Sequence, residues 1–171
     1  MIDQHEKRWY AVLTGSRKEK FVVDLLQRKG ITSYLPLVKR TRRYASRVKT
    51  HEVPLISCYV FVQIADDERV AVLETEYVYR YIQFSNKMSV IPDDEIEVMM
   101  HVVGEYDDVD LADERQFGQG DRVELIAGEL TGLKGTVLEG RGSKRYLVRL
   151  ESLDLNLTWT IKSSQLKKAS K

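Results

Sequence analysis

The last third of the chain carries no helical periodicity at all. From Gly118 onward the apolar residues fall into about five short runs, 121–127, 133–139, 145–150, 156–161 and roughly 165–167, separated by Gly128, Gly140-Arg141-Gly142-Ser143 and Asp154. Short strands at this spacing bury their apolar faces by curling into a small closed barrel. The first two runs meet at Gly128-Glu129-Leu130-Thr131-Gly132, where glycines supply backbone angles that other residues resist. A unit of this size is only marginally stable alone. Gly140 to Lys144 does not fit the phosphate-loop spacing and reads as a hairpin turn.

The preceding hundred residues alternate strand with helix. Arg8-Trp9-Tyr10-Ala11-Val12-Leu13 is a strand by composition. Ser16-Arg17-Lys18-Glu19 has capping-box spacing and opens a helix that would bury Phe21, Val22, Leu25 and Leu26, with Gly30 as its left-handed stop. Ile31 to Leu35 is extended, and Pro36 ends its pairing. In Cys58 to Ile64 the side chains alternate, so Cys58, Val60, Val62 and Ile64 face one way and Tyr59, Phe61 and Gln63 the other. Residues 66–73 read as a short helix and 78–84 as a strand. Pro92 and Asp93 open a last helix with a stripe of Ile96, Met99, Met100 and Val103, stopped at Gly104. The fold class is therefore α+β: a mainly antiparallel N-terminal sheet flanked by helices, then a small five-stranded β-barrel.

Net charge is only +1, but the charge is segregated. Residues 39–49 hold six basic side chains and no acid, whereas 107–114 hold five acids and no base. Segment 117–171 has ten Lys and Arg against six Asp and Glu. Residues 105–116 read as a flexible, self-repelling acidic linker between an N-terminal domain, 1–104, and a C-terminal one, 117–171. No apolar run reaches the roughly 20 residues that span a bilayer, and no membrane contact is expected. The N-terminus lacks an apolar signal core, and Cys58 is the only cysteine, which suits a reducing cytoplasm. His5, His51 and His101 are far apart, no CxxC is present, and no paired carboxylates or nucleophile motif occur. No catalysis, cofactor or metal is expected.

Three groups of residues are candidates for binding. Tyr59 and Phe61, with Phe84 beside them, would form an apolar patch suited to a partner helix; the alternative is a sheet covered on both faces by the chain's own helices. Arg40, Arg42, Arg43, Arg47 and Lys49, with Tyr44 among them, lie on a long loop or hairpin suited to phosphate contact and base stacking. A solvated, non-binding hairpin is the alternative. Arg17, Lys18 and Lys20 stand at a helix N-terminus, which favours an anion. Leu130 and Leu133 on the glycine turn read as exposed contacts for a partner protein, unless Leu133 closes the barrel.

Trp9-Tyr10, Pro54-Leu55 through Tyr59-Val60-Phe61-Val62, Val90-Ile91-Pro92 and the Gly120 to Val137 strand–turn–strand follow one another as in NusG-type transcription elongation factors. From about Lys7 to Lys167 the chain resembles an NGN domain followed by an SH3-like KOW barrel. It is most similar to the specialised RfaH- and UpxY-like antitermination paralogues. It departs from the housekeeping pattern at Gly128-Glu129-Leu130, where Gly-Pro-Phe is usual. It also has Glu68-Arg69-Val70-Ala71 in place of the RfaH-like His-Thr-Thr, so contacts resting on those residues do not carry over. The resemblance implies a non-enzymatic, cytoplasmic elongation or antitermination factor. Tyr59, Phe61 and Phe84 would dock on the clamp helices of the largest RNA polymerase subunit, the basic residues would meet upstream or non-template DNA, and the KOW domain would reach the ribosome. Polysaccharide operons are the implied targets. A general NusG-like factor, or a ribosome- or RNA-associated KOW protein without a polymerase role, are the alternatives.

Overall fold

The computed structural model describes residues 6–84, 87–112, 120–139 and 144–169. The expected turn at 140–143 and residues 113–116 of the expected linker lie outside them. The chain divides into two compact units, one of residues 1–37 and 56–96, the other of residues 38–55 and 97–171.

In the first unit, β1 (Arg8–Thr14), β2 (Thr32–Tyr34), β5 (Tyr59–Ile64) and β6 (Val78–Tyr81) form an antiparallel sheet in the order β2-β5-β1-β6. Helix α1 (Glu19–Arg28) and the short α2 (Arg69–Leu73) supply its cover. Opposed residues share a face, and Tyr10↔Val62 and Val12↔Val60 fix the register of β1 on β5. That face packs Tyr10, Val12, Val60, Val62 and Ile64 against Val22, Leu26 and Val72 in one core. Each such fully buried aliphatic side chain contributes roughly 1.5–3 kcal/mol. Helix α1 stops at Gly30, φ +73°, where Gly30 N–H donates to Gln27 O (2.9 Å) and Ile31 N–H to Leu26 O (3.0 Å).

Three local expectations change here. Ser16 makes no cap; Lys18 occupies that position without a side-chain bond, because Arg17 turns through φ +62° and Glu19 points inward. Buried Glu19 instead accepts the amide of Cys58 at 2.8 Å, holding a residue whose own φ is +64°. The expected strand 78–84 is two: β6 ends at Tyr81, and β7 (Gln83–Phe84) pairs with β8 (Lys87–Met88). Phe21, expected in the core, is 44% exposed and rests edge-on against Tyr77.

In the second unit, β3 (Leu37–Tyr44) and β4 (Arg47–Pro54) form a two-stranded hairpin that carries the basic run. Helix α3 (Asp93–Glu105) buries Ile96, Met99 and Val102, whereas Met100 is exposed. Beyond it, β10 (Asp121–Leu125), β11 (Lys134–Glu139), β12 (Lys144–Leu150), β13 (Leu155–Thr160) and β14 (Leu166–Lys168) form an antiparallel sheet in the order β14-β10-β11-β12-β13. A sixth strand, β9 (Asp110–Leu111), adds to the β13 edge. Its core is Tyr146, Trp159, Leu125, Leu150 and Leu157, with the Tyr146 and Trp159 rings edge-to-face at 5.0 Å. Gly135 is required beside them: a Cβ there would lie 2.6 Å from the Tyr146 ring.

The segment read as an acidic linker is therefore partly sheet. Val109 is fully buried, Tyr106 lies 5.5 Å from Trp159, and Asp110–Leu111 pair with Leu157 and Thr158. Acid content hid the apolar positions that a neighbouring edge captures.

Candidate functional site

The basic run takes a definite geometry. Thr41 and Thr50 hydroxyls meet at 3.1 Å across the hairpin, which puts these two residues on one face. Side chains alternate along a strand, so Arg40, Arg42 and Tyr44 share the other face with Arg47, Lys49 and His51. Arg43 falls on the threonine side. Arg42, Arg47 and Lys49 are exposed, and among the described residues none of them is in an ion pair. Tyr44 stands among them with half its surface open to solvent. Arg40 is different: it is half-buried, donates to the Val109 carbonyl at 3.1 Å and pairs with Asp110 at 3.1 Å. One face of the arm thus displays three uncommitted cations and an open ring. That arrangement suits phosphates with an unpaired base between them.

The residues at the head of α1 lie in the other unit. Arg17, Lys18 and Lys20 are exposed, and Lys18 Nζ sits 4.7 Å over the Tyr77 ring. Tyr79 is 64% exposed, and its hydroxyl would be 3.1 Å from a Cβ at Gly15. Tyr77 and Tyr79 went unremarked from sequence. The signal was available in the tyrosines of 77–81, but only the fold brings them beside Lys18.

The aromatic patch of β5 requires correction. Tyr59, Phe61 and Gln63 do share the second face of the sheet, opposite Leu13, Ala11 and Trp9. Phe61, however, is 0% exposed and stacks on Tyr34 at 6.2 Å. Trp9, Ala11 and Ile82 are buried as well, so the middle of this face is a second core and not a displayed surface. Burial also pushes the Tyr34 phenol well above its ordinary pKa, and among the described residues its hydroxyl has no hydrogen-bond partner. Only the end of the face is open. There half-buried Tyr59 lies across from half-buried Leu13, which pairs on its other side with exposed Arg80. Phe84 is in β7; its side chain lies outside the described residues.

On the C-terminal sheet, Gly128 and Gly132 have φ of +86° and +93°, as the turn demands. Leu130 and Leu133 are half-buried, not fully exposed. The Leu133 carbonyl accepts both the Leu125 amide (2.9 Å) and the Tyr146 hydroxyl (2.8 Å), so this residue fastens the sheet whatever else it touches. Exposed His101 has its Nδ1 2.7 Å from Glu129 on the same turn. Among the described residues no helix is long and apolar enough to cross a membrane, and no cluster of three His, Cys, Asp or Glu could hold a metal.

Comparison with known proteins agrees with this architecture. Residues 7–100 match the family model described as transcription termination factor nusG. The structure of Thermotoga maritima NusG, described for its domain interaction, superposes with a TM-score of 0.57 at 23% identity, covering 96% of this chain and 98% of that one. The MjSpt4:Spt5 complex, conformation A, matches at 18% identity over 95% of this chain and 99% of that one, with a TM-score of 0.32. No curated protein matches the chain. The family model takes in more than half of the chain, both its sheets and helices follow the NusG fold, and the chain belongs to the NusG family of non-enzymatic transcription factors.

Proposed function

We propose that this protein is an elongation and antitermination factor that holds RNA polymerase through its NGN unit and a nucleic-acid strand through the β3–β4 arm. The observation that carries the reading is the arm's one-sided display of Arg42, Arg47, Lys49 and Tyr44, without an acid on that face. Such a surface binds polyanions in a salt-dependent way, and the ring adds stacking on an unpaired base. Upstream or non-template DNA is the strand a polymerase-bound arm would meet. Arg17, Lys18 and Lys20 form a second, smaller basic surface for the same class of ligand.

The polymerase contact falls to the open end of the second sheet face, Tyr59 with Leu13 and Arg80, and to Phe84. Phe61 supports Tyr59 from within. A ligand that binds the closed, non-paused polymerase better than the paused one shifts the equilibrium toward elongation. The KOW turn, through Leu130, would take a second partner, the ribosome in this reading. The UpxY resemblance makes selected polysaccharide operons the targets.

The test is a purified transcription reaction with three chains. Wild type is expected to shorten pauses and to co-purify with polymerase. Tyr59→Ala should lose co-purification while keeping the fold. R42A/R47A/K49A should keep polymerase and lose its effect on particular pause sequences, with the log–log salt slope for a single-stranded oligonucleotide about 2 units shallower, from roughly 0.7 per phosphate contact. Unchanged co-purification of the Tyr59→Ala chain refutes the docking role.

A further inference from the structure

The outer edge of β13 is occupied, but poorly. Among the described residues strand β9 covers it over two residue pairs, Leu157↔Leu111 and Thr158↔Asp110, with one further bond from Ala112 N–H to Asn156 O at 3.0 Å. At Thr160 the ladder is replaced by a side chain: the Asp108 carboxylate accepts the Thr160 amide at 3.0 Å and also its hydroxyl. Arg145 steadies that substitute, donating to the Asp108 carbonyl at 3.2 Å and lying 3.5 Å from its carboxylate. Asn156, meanwhile, is buried at this edge; among the described residues its Nδ2 makes a long 3.4 Å bond to Ala112 O and its Oδ1 has no donor. A full-length neighbouring strand would give Thr160 a backbone acceptor and could offer Asn156 an N–H. Among the described residues the strand in place does neither.

We propose that the Leu155–Thr160 edge is a docking site for an extended strand of a partner protein, and that residues 106–112 are its displaceable occupant. The occupant shows what the site selects. It wants a strand antiparallel to β13, with an acid opposite Arg145 and Thr160, an apolar residue buried as Val109 is, and an aromatic that reaches Trp159 as Tyr106 does. Strand addition draws its affinity from main-chain bonds and its selectivity from such alternate side chains. The occupant's ion pairs to Arg145 and Arg40 are partly exposed and add little, so a strand that fills the Val109 and Tyr106 positions and also pairs about five or six residues competes with it. The site is independent of the polymerase contact, which lies in the other unit.

The experiment uses the whole chain and a fluorescein-labelled peptide of residues 105–112. Asp108→Ala frees the edge in cis, and the peptide is expected to bind that chain at least tenfold more tightly than wild type. Hydrogen exchange should show Thr160 losing at least tenfold protection while Leu147 and Val148 in β12 keep theirs. A second variant, Leu111→Pro, breaks β9 without altering any residue of β10–β14 and should act in the same direction. Equal affinity for all three chains overturns the proposal. So does absence of binding to both variants with β12 still protected, and so does dimerisation of the variants in place of peptide capture.

Discussion

Replacing Phe61 by alanine separates a displayed ring from a structural one. Phe61 has no exposed surface, faces Ala11 across the β1–β5 ladder and stacks on Tyr34. Removing the ring forfeits its burial and leaves a cavity that small Ala11 cannot fill. Core Phe→Ala changes cost roughly 3–5 kcal/mol, a fifth or more of the roughly 5–15 kcal/mol that typically holds a domain together. With a urea slope near 2 kcal/mol/M the midpoint should fall by about 2 M. Since the chain has two units, one global transition is not assumed, and the reading needs a probe confined to the first. Trp9 serves, in a Trp159→Phe background, because each unit holds one tryptophan. Tyr59→Ala in the same background should cost under about 1.5 kcal/mol, as its side chain is only half-buried. A Phe61→Ala loss below about 1 kcal/mol with an unchanged slope would refute the reasoning, and would mean that the ring can be uncovered cheaply for a partner.

Gly135→Ala should destabilise the C-terminal sheet by roughly 1–3 kcal/mol, because its Cβ would meet both the Tyr146 ring and the Leu147 carbonyl at 2.6 Å; Trp159 fluorescence under denaturant reads it. Glu19→Ala should cost about 1–3 kcal/mol by stranding the Cys58 amide, and adding Cys58→Gly should recover part of it, since glycine relaxes the +64° φ; the double-mutant cycle measures this. The Glu68 carboxyl is held below its ordinary pKa first by the Ala65 amide and then by Lys7. Its depressed folded pKa means the contribution is present above the ordinary carboxylate range and is lost as pH falls through that range. Glu68→Gln should therefore lower stability modestly at pH 7, and its difference from wild type should shrink away as pH falls below about 4.5, as followed by circular dichroism.

What could be read in the sequence depended on whether local chemistry or a distant partner decided the outcome. The basic arm, the Gly30 helix stop and the glycine turn of the C-terminal sheet were legible because charge, φ and spacing are local properties. The alternation in β5 correctly sorted Tyr59 and Phe61 onto one face. It could not show that Trp9 and Ala11 bury that face too, because both faces of β1 are apolar and period two then distinguishes nothing. Glu19 was misassigned to a cap since its real partner, Cys58, lies thirty-nine residues away. Asp108 and Val109 looked like tether because an added edge strand exists only where an edge awaits it.

Residues 41–50 of the arm are all solvent-facing, and the Thr41–Thr50 contact sits on the side away from Arg42, Arg47 and Lys49. No interior depends on those ten positions, so substitutions among them change what the molecule touches without changing whether it holds together. If the arm binds nucleic acid as proposed, divergence would rewrite ligand preference there alone, and related chains with near-identical scaffolds would be free to serve different genes.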